Sequence, residues 1–236
     1  MINVIPFEAL GRMDIGWLDA HYHFSFADYY DPVRMGFGPL RVWNDDRILP
    51  GGAFPMHPHR DFEIITYVRR GAVTHEDSMG NKGGTAAGDV QVMSAGTGIV
   101  HAEQNAGDED LELFQIWVEP SQNGLTPRWE TRTFEPQAGR LVTLASGRGD
   151  GGDALHIHQD VALMAAYLDA GQSVVHRLEA GRGAYLVPTR GAIEVNGTPA
   201  APRSGIAVTG EDTLTIHATN DAEIVLMDLC PAASDG

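Results

Sequence analysis

The sequence predicts an all-β protein of the sandwich or barrel type. Short runs rich in Val, Ile, Thr and aromatic residues recur along the 236 residues, and Gly, Asn, Asp or Pro bounds most of them. The 28 glycines and 13 prolines supply many turns. Amphipathic helical periodicity is scarce. Regular short strands separated by frequent turns are typical of β-sandwiches and β-barrels.

Seven runs carry the strand prediction most clearly. They are Phe62–Val68, Asp89–Met93, Leu113–Val118, Ala184–Val187, Ala192–Val195, Leu214–His217 and Ala222–Leu229. A further apolar run, Ile206–Thr209, is also read as a strand. The segment Asp160–Tyr167 is too short for its periodicity to separate a helix from a strand.

A weak internal repeat indicates two related β domains. The tetrapeptide RGAV at residues 70–73 recurs as RGAI at residues 190–193, an offset of 120 positions. Each copy follows a strand-like run and precedes a Gly-rich turn and another apolar strand. Between them, Glu119–Pro136 is polar and rich in turn-forming residues, so we expect the linker there. The predicted domains are residues 1–125 and 126–236.

The composition excludes several function classes. The chain has 32 acidic against 16 basic residues and a net charge of −16, whereas nucleic-acid binding depends on Lys and Arg that neutralise phosphates. We therefore expect no direct nucleic-acid partner. No run approaches the roughly 18 apolar residues of a membrane span, so we expect no membrane partner either. The single cysteine, Cys230, excludes an internal disulfide, and Glu8, Arg12 and Asp14 do not fit a secretory signal. These features predict a cytoplasmic location.

The first candidate metal-binding pair is His57 and His59. Side chains at positions i and i+2 of a strand share one face, with Cα atoms roughly 6.6 Å apart. Two imidazoles at that distance can converge on one ion at about 2.1 Å each. Pro58 lacks an N–H, so this segment fits a strand edge, bend or start.

A second pair, His101 and Glu103, repeats this spacing after the tight turn at residues 95–98. Three imidazoles and one carboxylate form a mixed nitrogen and oxygen ligand set. Such a set suits Fe(II), Mn, Ni, Cu(II) or Zn and leaves coordination positions for water or substrate. Because no thiolate accompanies them, a structural zinc site of the cysteine type is excluded.

Together these segments resemble the two motifs of the cupin β-barrels. Three longer segments resemble the pirin family, in the subgroup similar to bacterial quercetin 2,3-dioxygenases. They are MGFGPLRVWNDDRILPGGAFPMHPHRDFEIITYV, HEDSMGN and SAGTGIVHAEQN. The resemblance extends from about Gly16 to Pro231. It implies a bicupin, that is, two tandem cupin-type β-barrels with few short helices.

The resemblance also implies where the metal lies. His57, His59, His101 and Glu103 fall on the ligand positions of the family, in the N-terminal domain. One divalent transition metal per chain is expected, Fe(II) first, with Mn, Ni, Cu, Co or Zn as alternatives. At the repeat offset of 120, the His57 and His59 positions correspond to Arg177 and Glu179. The C-terminal domain is therefore expected to lack a metal site.

The activity implied is a metal-dependent dioxygenase that cleaves the heterocyclic ring of flavonols such as quercetin and releases carbon monoxide. The flavonol 3-hydroxyl would bind the metal, and Glu103 would accept its proton as a general base. The partners expected are a flavonol or related phenolic substrate and dioxygen. Two alternatives stay open: an iron-dependent redox sensor without turnover, and a dioxygenase for another phenolic compound. The sequence leaves the oligomeric state open.

Two further residues are assigned to the surroundings of the metal. Glu63 follows the first histidine pair and occupies a ligand position of the general cupin motif. Because the pirin carboxylate lies at Glu103, we expect Glu63 to orient a histidine or Arg60. Phe54 closely precedes the ligands and is expected to line the substrate pocket.

The remaining histidines are predicted to have structural roles. His21 and His23 form another i, i+2 pair and are expected to be partly exposed strand residues. His75 is interpreted as a polar strand or turn residue. His156 and His158 have the same spacing, but no downstream pair accompanies them, so no second metal site is expected there.

Overall fold

The computed structural model describes residues 1–135, 137–149 and 152–231, and these form an all-β protein with one short 3-10 turn, η1 (Phe7–Ala9). Their strands build four sheets, two of seven strands and two of four. All seven runs predicted most clearly are confirmed as strands. Asp160–Tyr167, which the sequence left open, contributes to a strand rather than to a helix.

The N-terminal half contributes one large and one small sheet. Its strands are β2 (Gly11–Asp14), β3 (Leu18–Tyr22), β4 (Leu40–Ile48), β5 (Ala53–His59), β6 (Glu63–Arg70), β7 (Ala72–Asp77), β8 (Lys82–Ala86), β9 (Asp89–Ser94), β10 (Ile99–Gln104), β11 (Leu111–Val118) and β12 (Arg128–Thr133). The large sheet has the order β12-β9-β6-β11-β4-β3-β2, and the small sheet has the order β5-β10-β7-β8.

The C-terminal half repeats this architecture. Its strands are β13 (Val142–Ser146), β14 (Leu155–His156), β15 (Ala162–Leu168), β16 (Ser173–Arg177), β17 (Gly183–Arg190), β18 (Ile193–Val195), β19 (Thr198–Ala200), β20 (Gly205–Thr209), β21 (Thr213–Ala218) and β22 (Ala222–Leu229), joined by β1 (Ile2–Ile5). The large sheet has the order β1-β20-β17-β22-β15-β13-β14, and the small sheet β16-β21-β18-β19. The two halves are two cupin domains, as the resemblance implies.

The sequence repeat marks equivalent turns in the two domains. The RGAV segment connects β6 to β7, and the RGAI segment connects β17 to β18. Gly71 and Gly191 both have φ +72, a conformation that side-chain-bearing residues rarely adopt. A Cβ at Gly191 would lie 2.3 Å from the carbonyl oxygen of Asp221. Both a positive φ and close packing therefore require glycine at this turn.

Each large sheet contains one strand from the other side of the predicted boundary between residues 125 and 126. β1 pairs with β20 of the C-terminal sheet, and β12 pairs with β9 of the N-terminal sheet. The predicted linker Glu119–Pro136 therefore contains a strand, which corrects that expectation; Pro136 itself lies outside the described residues. The sequence of β12 is polar because this edge strand contributes only Trp129 to a hydrophobic cluster, so its composition did not predict a strand. The boundary between residues 125 and 126 stays a prediction.

An apolar core and buried polar contacts connect the domains. One buried cluster combines Trp43 and Phe114 of the N-terminal half with Tyr185 of the C-terminal half. His23 is fully buried there, with Nδ1 2.9 Å from the Tyr185 hydroxyl, so the prediction that it is partly exposed is wrong. His23 is buried because it lies between the two domains, and the alternation of side chains along a strand does not reveal such a position. His21 is only partly buried, as expected, and packs on the Phe7 ring.

Among the described residues, no helix combines the length and apolar character that a membrane crossing needs.

Candidate metal centre

The two predicted pairs meet on neighbouring strands of the small N-terminal sheet. His57 and His59 lie on β5, and His101 and Glu103 lie on β10. The strands are antiparallel, with His101 opposite His57 and Glu103 opposite Phe54, and the register shifts between positions 101 and 103. Cross-strand pairing therefore brings together residues more than 40 positions apart in the sequence.

Three imidazoles converge closely enough to share one ion. A ring nitrogen from each of His57, His59 and His101 lies within 4.8 Å of the others, a separation compatible with metal–nitrogen bonds of about 2.1 Å. His57 Nδ1 donates to the carbonyl of Pro55 at 2.7 Å, which leaves its Nε2 free to ligate. His101 Nε2 is buried without a hydrogen-bond partner. A buried, unpartnered imidazole nitrogen fits a bound transition metal.

Behind His101 lies a hydrogen-bonded chain of two further residues. The Nδ1 atoms of His101 and His75 are 3.4 Å apart, and His75 Nε2 is 3.1 Å from Asp77 Oδ2. Asp77 accepts the Nε2–H of His75, so His75 Nδ1 is the acceptor for the Nδ1–H of His101. In this tautomer Nε2 of His101 carries no hydrogen, so its lone pair is available to a metal. Carboxylates and other acceptors behind metal-binding histidines commonly fix the ligand in this way.

The carboxylate of Glu103 is buried and held by two amides. Gln91 Nε2 donates to one oxygen at 2.5 Å, and Gln115 Nε2 donates to the other at 2.8 Å. Burial raises the pKa of Glu103 to about 7, against the two amide hydrogen bonds, which lower it. A ligand atom of Glu103 lies within 4.8 Å of those of His75 and His101. The four predicted ligands thus fall into two overlapping groups that share His101.

Two imidazoles of the site, those of His59 and His101, are held in their neutral form. Burial lowers the pKa of His59 to about 4 and that of His101 to about 3, and repulsion from neighbouring imidazoles contributes to both shifts. Neutral imidazole is the form that ligates a metal. Near neutral pH these two side chains therefore present lone pairs rather than charges.

The histidines open into a cavity of about 260 Å³ between the large and small N-terminal sheets. Its wall is mostly apolar and aromatic: Met13, Leu18, Ala20, Tyr22, Phe26, Phe54, Ile64 and Trp117. Trp117 meets the His59 ring edge-on, with centroids 4.8 Å apart. Phe54 lies in this wall, where the sequence placed it, and packs edge-on against Trp17. The apolar and aromatic lining fits an aromatic ligand.

Besides Glu103 and Gln115, two further acidic or amide side chains interrupt the apolar wall. Asn44 and Asp46, both on β4, line the cavity and are each only 4% exposed. Burial first, and then the carboxylates of Asp45 and Glu103, raise the pKa of Asp46 well above its usual value. Neither residue belongs to a motif that predicts a site.

The structure places Glu63 at the contact between the domains. Its carboxylate accepts hydrogen bonds from Ser94 Oγ at 2.8 Å and from His158 Nδ1 at 3.2 Å. Glu63 thus contacts a histidine, but it is His158 of the C-terminal half rather than a candidate ligand or Arg60. The His156 and His158 rings are 4.7 Å apart. Within the described part of the chain, both clusters of potential ligands lie in the N-terminal half.

Sequence reasoning also missed His75 and Asp77 as parts of the site. The signal was present in the alternation of β7, where Val73, His75 and Asp77 are buried and the residues between them are exposed. A period of two places the three side chains on the inner face. His75 stacks on Trp129 with ring planes 8° apart.

Two family models match the chain. The model described as Pirin matches residues 5–118, and the model described as the quercetinase C-terminal cupin domain matches residues 143–229.

Individual relatives match over nearly the whole length. A protein of Pseudomonas aeruginosa, named provisionally as a quercetin 2,3-dioxygenase, is 57% identical over 97% of this chain and 100% of its own. The quercetin 2,3-dioxygenase of Escherichia coli K12 is 46% identical over 98% of this chain and all of its own. The crystal structure of a bacterial pirin from Escherichia coli in complex with nickel(II) superposes with a TM-score of 0.93, at 43% identity, over 98% of this chain and 100% of that one.

Proposed function

The chain belongs to the pirin family, and we propose that it is a metal-dependent dioxygenase that cleaves the heterocyclic ring of flavonols such as quercetin. The observation that carries the proposal is the convergence of His57, His59 and His101 at the wall of an aromatic cavity, beside the buried carboxylate of Glu103. The two relatives named for quercetin dioxygenation support the choice of substrate class. The predicted cytoplasmic location is part of the same proposal.

The metal proposed is one divalent transition ion per chain, with Fe(II) first. His57, His59 and His101 would supply three nitrogen donors, and Glu103 would supply an oxygen donor. The nickel(II) complex of the Escherichia coli pirin supports a site for a divalent transition metal. Bound there, the ion would supply Lewis acidity toward a substrate oxygen and redox activity toward dioxygen.

The protein groups perform the remaining tasks. The aromatic wall would hold the flat flavonol and exclude water from the reacting ring. Glu103 would take the proton of the substrate hydroxyl, because its carboxylate is buried beside the histidines and two amide donors fix its orientation. Ring cleavage then yields carbon monoxide and a depside.

Oxygen uptake and carbon monoxide release test the proposal. Protein loaded with Fe(II) and supplied with quercetin should consume dioxygen and release carbon monoxide in equal amounts, whereas the metal-free protein should do neither. A His57→Ala variant at the same protein concentration provides the matched control. If iron-loaded protein turns over no member of a flavonol panel, the dioxygenase proposal fails, and the sensor alternative takes its place.

A further inference from the structure

Asn44 and Asp46 are buried polar groups that the proposed chemistry leaves unused. Both line the cavity, and Oδ1 of each is buried without a hydrogen-bond partner. Leaving a buried polar atom unsatisfied typically costs about 1–3 kcal/mol. Two such atoms on one wall therefore indicate partners that arrive with a ligand.

Asn44 and Asp46 lie on the opposite face of β4 from Asp45, which forms ion pairs with two arginines. β4 alternates, so Asp45 faces away from the cavity and pairs with Arg69 and Arg203. Asn44 and Asp46 share the opposite face. Among the described residues, Asp46 Oδ1 has no hydrogen-bond partner. Its carboxyl is consequently free to bind a ligand.

The position of the pair relative to the metal centre follows from the pairing of β4 with β11. Asn44 lies opposite Gln115, which donates to Glu103. The large-sheet wall of the cavity thus carries Asn44, Asp46 and Gln115, and Gln115 donates to Glu103, which lies with the histidines on the facing small sheet. A flat ligand that contacts the histidines with one edge would place another edge beside Asn44 and Asp46.

We propose that Asn44 and Asp46 determine specificity by accepting hydrogen bonds from ring hydroxyl groups of the substrate other than the hydroxyl beside Glu103. The inference rests on the proposed function and narrows its substrate class to polyhydroxylated planar phenols. A site built to bind a hydroxyl discriminates strongly against an analogue that lacks it, because its own polar groups then stay unpaired. Unsubstituted flavonols should therefore bind more weakly than hydroxylated ones.

Two ligands isolate this contribution. Quercetin and 3-hydroxyflavone share the 3-hydroxyl and 4-keto groups, but 3-hydroxyflavone has no other hydroxyl. Binding is measured by titration calorimetry on zinc-loaded protein without oxygen, with metal content matched. The variants are Asp46→Ala and Asn44→Ala. The control is Asp110→Ala, which removes a carboxylate outside the cavity that pairs with Arg47 of β4.

In Asp46→Ala we expect quercetin affinity to fall about tenfold and 3-hydroxyflavone affinity to change less than about twofold. Asn44→Ala should show the same selectivity, and the control should alter neither ligand. Should Asp46→Ala fail to fold, Asn44→Ala and Asp46→Leu, which has a similar size but no acceptor, carry the comparison. Equal losses for both ligands, or no loss for either, would overturn the inference.

The failure of the two proposals is distinguishable. If the wild type turns over quercetin and the variants keep the wild-type preference between the two ligands, the specificity role fails and the dioxygenase proposal stands. If the wild type binds neither flavonol, the flavonol proposal fails, and the inference fails with it.

Discussion

Replacing His75 with phenylalanine tests how the buried chain behind His101 acts on the metal. Phenylalanine keeps a ring of similar size against Trp129, whose centroid lies 4.8 Å from that of His75. The packing is thereby retained. The substitution removes the acceptor for His101 Nδ1–H and disconnects Asp77 from the site.

The expected loss is 10- to 100-fold in metal affinity, the usual effect of removing a group that orients a metal-binding histidine. Without its acceptor, the His101 ring is free to place its proton on Nε2, which then no longer ligates. His75→Gln should recover part of the affinity, because its side-chain oxygen can accept the same hydrogen bond. A purely structural role would not predict this recovery.

The assay is competition for Zn²⁺ or Ni²⁺ between the protein and a chelator of known affinity, with thermal unfolding of the metal-free proteins measured in parallel. His217→Phe serves as the control, since His217 lies on β21 of the C-terminal domain and bonds to Ser173. A folded His75→Phe protein whose metal affinity stays within about twofold of wild type would refute the role assigned to the chain.

Three further predictions concern single residues. Glu103→Gln should retain metal but lose about 10²–10⁴ in turnover, because an amide cannot accept the substrate proton; quercetin loss at its visible band, at equal metal content, measures this. His57→Ala should lose most of its metal and stay folded, because the cores are apolar; elemental analysis and circular dichroism check both points, and an unfolded variant would make the site structural. Burial lowers the pKa of His23 to about 3 in the folded protein, whereas a histidine of the unfolded chain has a pKa of about 6.5. As the pH falls below about 6.5, the unfolded chain therefore binds a proton at this residue before the folded protein does, and the folded state loses stability. Between pH 7 and 4.5 this histidine should therefore remove about 2.5 kcal/mol of stability, a loss that His23→Gln avoids. Urea unfolding of both metal-free proteins at the two pH values provides the comparison, and equal losses would contradict it.

The sequence alone determined the features that depend on local pattern. Short runs rich in β-branched and aromatic residues, bounded by turn-formers, identified strands such as β6, β9 and β22. Side-chain direction in a strand repeats every two residues. The same periodicity predicted that His57 and His59 share a face, and likewise His101 and Glu103. Glycine at positions 71 and 191 marked equivalent turns because only that residue tolerates the required backbone.

Features that depend on distant partners became visible only in the tertiary structure. The polar sequence of β12 gave no sign that it completes the N-terminal sheet, because an edge strand is defined by the strand it pairs with. His23 is buried by the contact between domains, which no local pattern encodes.

The same limit applies within the site. Asn44 and Asp46 are ordinary polar residues in the sequence, and they became candidate ligand contacts only when β4 and β11 aligned them on the wall with Gln115, which donates to Glu103. His75 acquired its relation to His101 through the pairing of β7 with β10. A strand's period fixes which way a side chain points, but the register between strands decides what it meets, and that register is set by packing over the whole domain.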